Sequence, residues 1–191
     1  MSQMQGQPPP KPTRAMLLAA HGLEINDLIA NGLRVLFCGI NPGLYSGATG
    51  HHFARPGNRF WPALHVGGFT PRLMHPWEKA ELLGLGLGIT NFVARTTNTA
   101  AELTDEEIRA GAALLRRKVR RYAPRVLAIL GIGAYRIGFG CKEAALGLQD
   151  QTIGSTRIWV LPNPSGLNAH YTPASLGRLF GELNAFIVQQ G

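Results

Sequence analysis

Four short runs, three of them almost unbroken stretches of apolar residues, constrain this chain more than any other feature. They are Arg34 to Ile40 (RVLFCGI), Gly88 to Val93 (GITNFV), Val126 to Leu130 (VLAIL) and Arg157 to Leu161 (RIWVL). A strand with one wet face alternates apolar and polar residues; a strand covered on both faces does not. Asn31-Gly32 marks a turn just before the first run. Helical patterns fill the intervals. From Asp105 to Tyr122, the residues Ile108, Ala112, Leu115, Val119 and Tyr122 share one face, Thr104 and Glu107 make a capping box, and Pro124 enforces the stop. A last helix starts at Thr172-Pro173 and buries Leu176, Leu179, Phe180, Leu183 and Ile187. Strands alternating with helices predict an α/β domain with a mainly parallel central sheet.

In open α/β sheets, ligands bind outside the carboxyl ends of the strands. Every run but the third leads into a segment rich in Gly, Pro or Asn, and those loops are where chemistry is expected. Residues 14–191 read as a single domain, with residues 1–13 as an extended or disordered Pro-rich tail: Pro8-Pro9-Pro10 favours polyproline II. That tail has no apolar core and does not read as a secretory signal, and the chain lacks the unbroken apolar run of about 18 residues that a membrane helix needs. Cys38 and Cys141 are too few and too scattered for a metal or iron–sulfur site, so they read as reduced thiols of a cytoplasmic protein. A net charge of +8 favours a polyanionic partner, most commonly nucleic acid.

After the first strand comes Asn41-Pro42-Gly43, with further glycines at 47, 50, 57 and 67. Neither the P-loop nor the dinucleotide glycine motif is present. Glycines also allow close backbone approach to a flat ligand, with Phe53 stacking on it and Ser46 hydrogen-bonding to it. The alternatives are a core role for Phe53 and an Asx-type turn at Asn41.

The stretch GINPGLYSGATGHHFARPGNRFW, with GLRVLFC before it and WVLPNPSGLN near the end, closely resembles the mismatch-specific uracil-DNA glycosylases. These are the bacterial relatives of the thymine-DNA glycosylases within the uracil-DNA glycosylase superfamily. The resemblance runs from Leu28 to Ile187. It implies a three-layer α/β/α sandwich with a short, mainly parallel central sheet, and an active site built from the loops after the first and last strands. It also implies that Asn41 positions the hydrolytic water, that Phe53 stacks on the flipped base, and that Ile40, Gly43, Tyr45, Ser46 and Asn91 border the base. The partner implied is double-stranded DNA with G·U or related mismatches, bound by a monomer, with no cofactor, no metal and no lyase step.

In the last loop, Asn163-Pro164-Ser165-Gly166-Leu167-Asn168, a tight Pro-punctuated turn is one reading. As a DNA contact, Leu167 would be the wedge that fills the stack left by a flipped base. The resemblance implies that the backbone at Gly166 and its neighbours reads the widowed guanine, with Asn163, Ser165 and Asn168 on phosphate or the opposite strand. His170 is either a phosphate contact or a solvated surface histidine.

Asn41 can orient water but cannot take its proton. The efficient branch of the superfamily has Asp in that loop and His in the last one, and both are missing here. General-base help is worth about 10²–10⁴ in rate. The expected enzyme is therefore slow and selective for good leaving groups, with uracil and etheno-cytosine accepted and thymine poor. The slot of Ala94, in Asn91-Phe92-Val93-Ala94-Arg95, usually holds an acidic residue in the family. Three explanations stand: a dispensable carboxylate naturally lost, a structural one pairing with Arg95, or a deliberately inactivated variant of reduced activity. A damage-recognition protein that keeps the flipping machinery without the chemistry is the rival reading. A nucleotide hydrolase is disfavoured by the missing phosphate-loop and acidic metal-ligand motifs. Arg116, Arg117, Lys118, Arg120, Arg121 and Arg125 read as a solvated helix end that complements the dipole, whereas Arg55, Arg59 and Arg95 are expected on phosphates.

Overall fold

The computed structural model describes residues 9–190. The expected tail therefore lies outside the described residues over its first eight positions; Thr13 caps the first helix. The strands are β1 (Val35–Gly39), β2 (Leu87–Asn91), β3 (Val126–Leu130), β4 (Gly147–Ile153) and β5 (Thr156–Leu161). The helices are α1 (Arg14–Ala19), α2 (Leu44–Thr49), α3 (Phe60–Val66), α4 (Glu81–Gly84), α5 (Asp105–Tyr122), α6 (Ile132–Phe139) and α7 (Pro173–Gln189).

The sheet order is β2-β1-β3-β5-β4, with every pair parallel except β4 against β5. The runs of β1 and β3 are central strands buried on both faces, whereas β2 is an edge and β5 leaves Arg157 exposed. In β1, Val35 and Phe37 enter one core with α3 and α7, and Leu36 and Cys38 enter a second core with α5 and α6. In β3, Val126, Ala128 and Leu130 take the first side and Leu127 and Ile129 the second. This is the three-layer α/β arrangement expected. Phe37 anchors the first core, edge-on to Phe60 and stacked on Phe180 at 5.4 and 5.8 Å.

The α5 boundaries are those read from the sequence. The Thr104 hydroxyl accepts from the Glu107 N–H at 3.2 Å, and the Glu107 carboxylate accepts from the Thr104 N–H at 2.9 Å. Tyr122 is only half-buried at the end of that face. In α7, Leu179 is likewise half-buried beside the buried Leu176, Phe180, Leu183 and Ile187. The sequence reading lacked β4. This strand is an edge that returns on β5 through a tight turn at Gly154-Ser155, and its polar segment, GLQDQTI, is mostly exposed. No described helix is long and apolar enough to cross a membrane.

Candidate active site

The site lies where β1, β2 and β5 end. β1 stops at Gly39 and the chain turns through Ile40-Asn41-Pro42-Gly43 into α2. Beyond β2, the chain keeps pairing with this loop: the N–H groups of Phe92, Val93 and Thr97 donate to the carbonyls of Gly39, Ile40 and Pro42 at 2.9, 3.0 and 3.1 Å. An N-terminal segment braces the same stretch from outside. The Gly22 N–H donates to the Thr96 carbonyl, the Thr96 N–H to the Leu23 carbonyl, and the buried Thr96 hydroxyl to the Ala20 carbonyl.

Two side chains converge over Gly39. A Cβ there would lie 2.5 Å from the Asn91 Oδ1 and 3.2 Å from the Phe53 ring, so only glycine leaves room for both. Phe53 itself has φ of +53°, a left-handed conformation costly for a residue with a side chain. Its ring stacks on Phe60 at 4.1 Å while remaining half-exposed at the cleft wall. The two uses weighed for Phe53 are thus compatible: one side packs on the core and the residue still lines the cleft.

Asn41 is held by its amide nitrogen, which donates to the Thr97 hydroxyl at 2.7 Å and to the Arg95 carbonyl at 3.0 Å. The Thr97 hydroxyl donates to the Thr99 carbonyl at 2.7 Å, so it can only accept from Asn41. The amide orientation is thereby fixed, and Oδ1 is left as an acceptor at the cleft. Thr97 is buried, and nothing in the sequence pattern singled it out.

The cleft has a volume of about 370 Å³, within the range of small-ligand pockets. Ile40, Asn41, Gly43, Ser46, Phe53 and Asn91 line it together. The buried Ser46 hydroxyl also accepts from the Ala54 N–H at 3.3 Å, which steadies the turn that carries Phe53. Tyr45 sits half-buried on α2 and is not in the lining. Ala94 is exposed and also outside the lining. Its neighbour Arg95 already has an acidic partner, because Glu107 of α5 accepts from the guanidinium at 2.7 and 3.0 Å. That bond to Arg95 holds the Glu107 carboxyl down at about 2.

Besides Thr97, several wall residues escaped sequence reasoning, among them Ile25, His52, Asn58 and the Asn98–Ala100 segment. His52 is buried, and its Nε2 donates to the Asn26 carbonyl at 2.9 Å, leaving Nδ1 as an acceptor. Burial pushes its pKa down to about 4, so the imidazole is neutral at pH 7.

From the other side comes the loop after β5. Asn163, Ser165, Leu167 and Asn168 line the cleft, while Gly166 is exposed beside them. The loop is a self-bonded turn: the Ser165 N–H donates to Asn163 Oδ1 at 2.9 Å, the Leu167 N–H to the Ser165 hydroxyl at 3.3 Å, and the Asn168 amide to the Asn163 carbonyl at 3.0 Å. Leu167 stands at its tip with 66% of its surface exposed. His170 is exposed and borders a neighbouring apolar cavity rather than this cleft.

The arginines divide differently from expectation. Arg59 is turned to carbonyls of the last loop and Arg95 to Glu107. Arg55 is exposed at the cleft rim and remains the one of the three available to a phosphate. The basic end of α5 precedes the start of β3, and so lies at the opposite end of the sheet from the cleft. Arg116 covers the Phe139 ring at 4.2 Å, and Lys118 reaches over the sheet face to pair with Asp27 and donate to the Thr90 hydroxyl at 2.8 Å. Among the described residues, no cluster of His, Cys, Asp and Glu could hold a metal ion, and both cysteines are free thiols.

The fold and site define an α/β protein with a concave pocket at the carboxyl ends of a mainly parallel sheet, walled by the Phe53 ring and by asparagine amides that include Asn41 and Asn91. The family model described as the uracil DNA glycosylase superfamily matches residues 27–184, and the chain belongs to that superfamily. Membership supports a DNA glycosylase, a hydrolase whose substrate is DNA. The fold is similar to a solution structure of a "putative Uracil DNA glycosylase" from Methanosarcina acetivorans, with a TM-score of 0.56 at 18% identity, over 85% of this chain and 98% of that one.

Proposed function

We propose that this chain excises uracil from G-containing mismatches in duplex DNA, with etheno-cytosine as a second substrate and thymine a poor one. The observation that carries this reading is the meeting of three groups on one cleft: the oriented Asn41 amide, the Phe53 ring and the exposed Leu167 tip. A base inside a duplex must leave the stack to be cut, and an apolar side chain entering the gap offsets part of a cost of a few kcal/mol. Leu167 is that wedge, and the flipped base lies against Phe53.

Asn91 presents an amide, which can both donate and accept, to the matching edge of uracil. Asn41 Oδ1 accepts a hydrogen bond from the attacking water and aims it at C1′. As the C1′–N1 bond breaks, positive charge grows on the sugar and negative charge on uracil; backbone N–H groups of the Gly-rich loop stabilise the latter. Water adds to C1′, its proton passes to solvent, and uracil departs as the anion before it is protonated. His52, neutral at pH 7, supplies no cation to the leaving group. Among the described residues no carboxylate lines the cleft, so the rate is low. The reaction ends at the abasic site, with no covalent enzyme intermediate. The protein acts as a cytoplasmic monomer.

The test is release of free base from a panel of duplexes carrying G·U, A·U, G·T and G·etheno-cytosine. The expected order is G·U and G·etheno-cytosine above A·U, with G·T lowest. Ala94 favours one second reading, a damage-recognition protein that flips without cutting. Tight G·U binding with no release of uracil would select it.

A further inference from the structure

Two loops of the cleft are joined through Arg59. Its N–H donates to the Pro164 carbonyl at 2.9 Å. Its guanidinium donates to the carbonyls of Asn168 at 2.9 Å and Gly166 at 3.3 Å, and to that of Tyr171. These carbonyls flank Leu167 on both sides. Close by, the backbone of Gly57 fills the space where a Cβ on Gly166 would stand, with its carbonyl oxygen only 2.6 Å from that point. The anchor is rigid, because Arg59 caps α3 and is followed by the buried Phe60 and Trp61. The base-binding loop and the wedge loop are therefore one body.

We infer that Arg59 is a positioning residue for base flipping, acting through the loop that carries Leu167. The inference rests on the glycosylase reading above. A tip held in place before DNA arrives loses little freedom when it enters the stack, so more of its contact energy is available to unstack the base. A phosphate contact would need only a positive charge, which lysine also supplies. A planar fork that reaches several carbonyls at once cannot be copied by an ammonium group.

The experiment uses a G·U duplex with 2-aminopurine beside the uracil, whose fluorescence rises when the neighbouring base leaves the stack. It also records the slope of log affinity against log salt. Arg59→Lys and Arg59→Ala are both expected to lose the fluorescence gain by roughly fivefold or more, as the loss of at least two of the three guanidinium hydrogen bonds implies, with the salt slope unchanged. Gly166→Ala, which leaves Arg59 intact but forces the loops apart, is expected to lose it too. A Lys variant that keeps the full signal, or an Ala variant whose salt slope falls by about 0.9, the signature of one lost phosphate contact, overturns the inference. So does an unaltered signal in Gly166→Ala. If the unmodified chain neither raises the fluorescence nor prefers G·U to G·C duplex, the glycosylase reading itself fails, which is a separate result.

Discussion

The Asn41 amide nitrogen donates to the Thr97 hydroxyl at 2.7 Å, across 56 positions of sequence, and that hydroxyl is committed to the Thr99 carbonyl. An asparagine side chain can sit either way round in most settings. Here only one orientation satisfies both neighbours, and it offers Oδ1 to the cleft. Thr97→Val keeps the shape and removes the hydroxyl. We expect single-turnover excision to fall about 10-fold, the effect of losing one well-placed hydrogen bond of about 1.4 kcal/mol, while affinity for a G·U duplex stays unchanged. Thr97→Ser is expected to restore the rate. Equal rates for Val and Ser would remove the orienting role.

Position 94 tests the missing carboxylate. Ala94 is exposed on the strand extension that flanks the Asn41 loop, and Arg95 is already paired with Glu107. A carboxylate at 94 is thus not required to satisfy Arg95. Ala94→Asp is expected to raise the single-turnover rate on G·U DNA, within the general-base range of about 10²–10⁴. No gain would mean that the slot is not catalytic.

The sequence disclosed the central strands because they are buried on both faces, which leaves unbroken apolar runs such as RVLFC and VLAIL. It hid β4 because an edge strand made of GLQDQTI has little to bury. The helix α5 was legible to its last residue because the Thr104–Glu107 capping box and the stop at Pro124 are written locally in the sequence. The cleft was partly legible: Asn41, Phe53 and Leu167 sit in the motifs that carry the resemblance. Thr97 was not, because its role depends on a partner distant in sequence. Arg59 and Arg95 were read as phosphate contacts because charge alone does not tell which arginines are occupied within the fold. His52 went unnoticed because nothing in GHHF says which histidine is buried.

His52 makes stability depend on pH. Its folded pKa of about 4 lies below the ordinary 6.5. Between those values the unfolded chain binds the proton and the folded chain does not, so stability is full above pH 6.5 and falls as pH drops toward 4. The loss between pH 7 and 4.5 amounts to about 2–3 kcal/mol at most. Burial lowers the pKa of His51 in the same direction. Urea denaturation at the two pH values should show this drop, and His52→Gln should shrink it. An unchanged drop in the variant would assign the acid sensitivity elsewhere.

The proposed reaction is cleavage, in the cleft around Asn41, of the bond between uracil and deoxyribose. The most direct measurement is free uracil released from a G·U duplex in single turnover, comparing this chain with Asn41→Ala. Slow release by the chain and a loss of roughly 10²-fold or more in the variant are expected, the scale of removing one preorganised hydrogen-bonding group from a reacting centre. Equal release by the two proteins, or none from this chain even with Ala94→Asp, would contradict it.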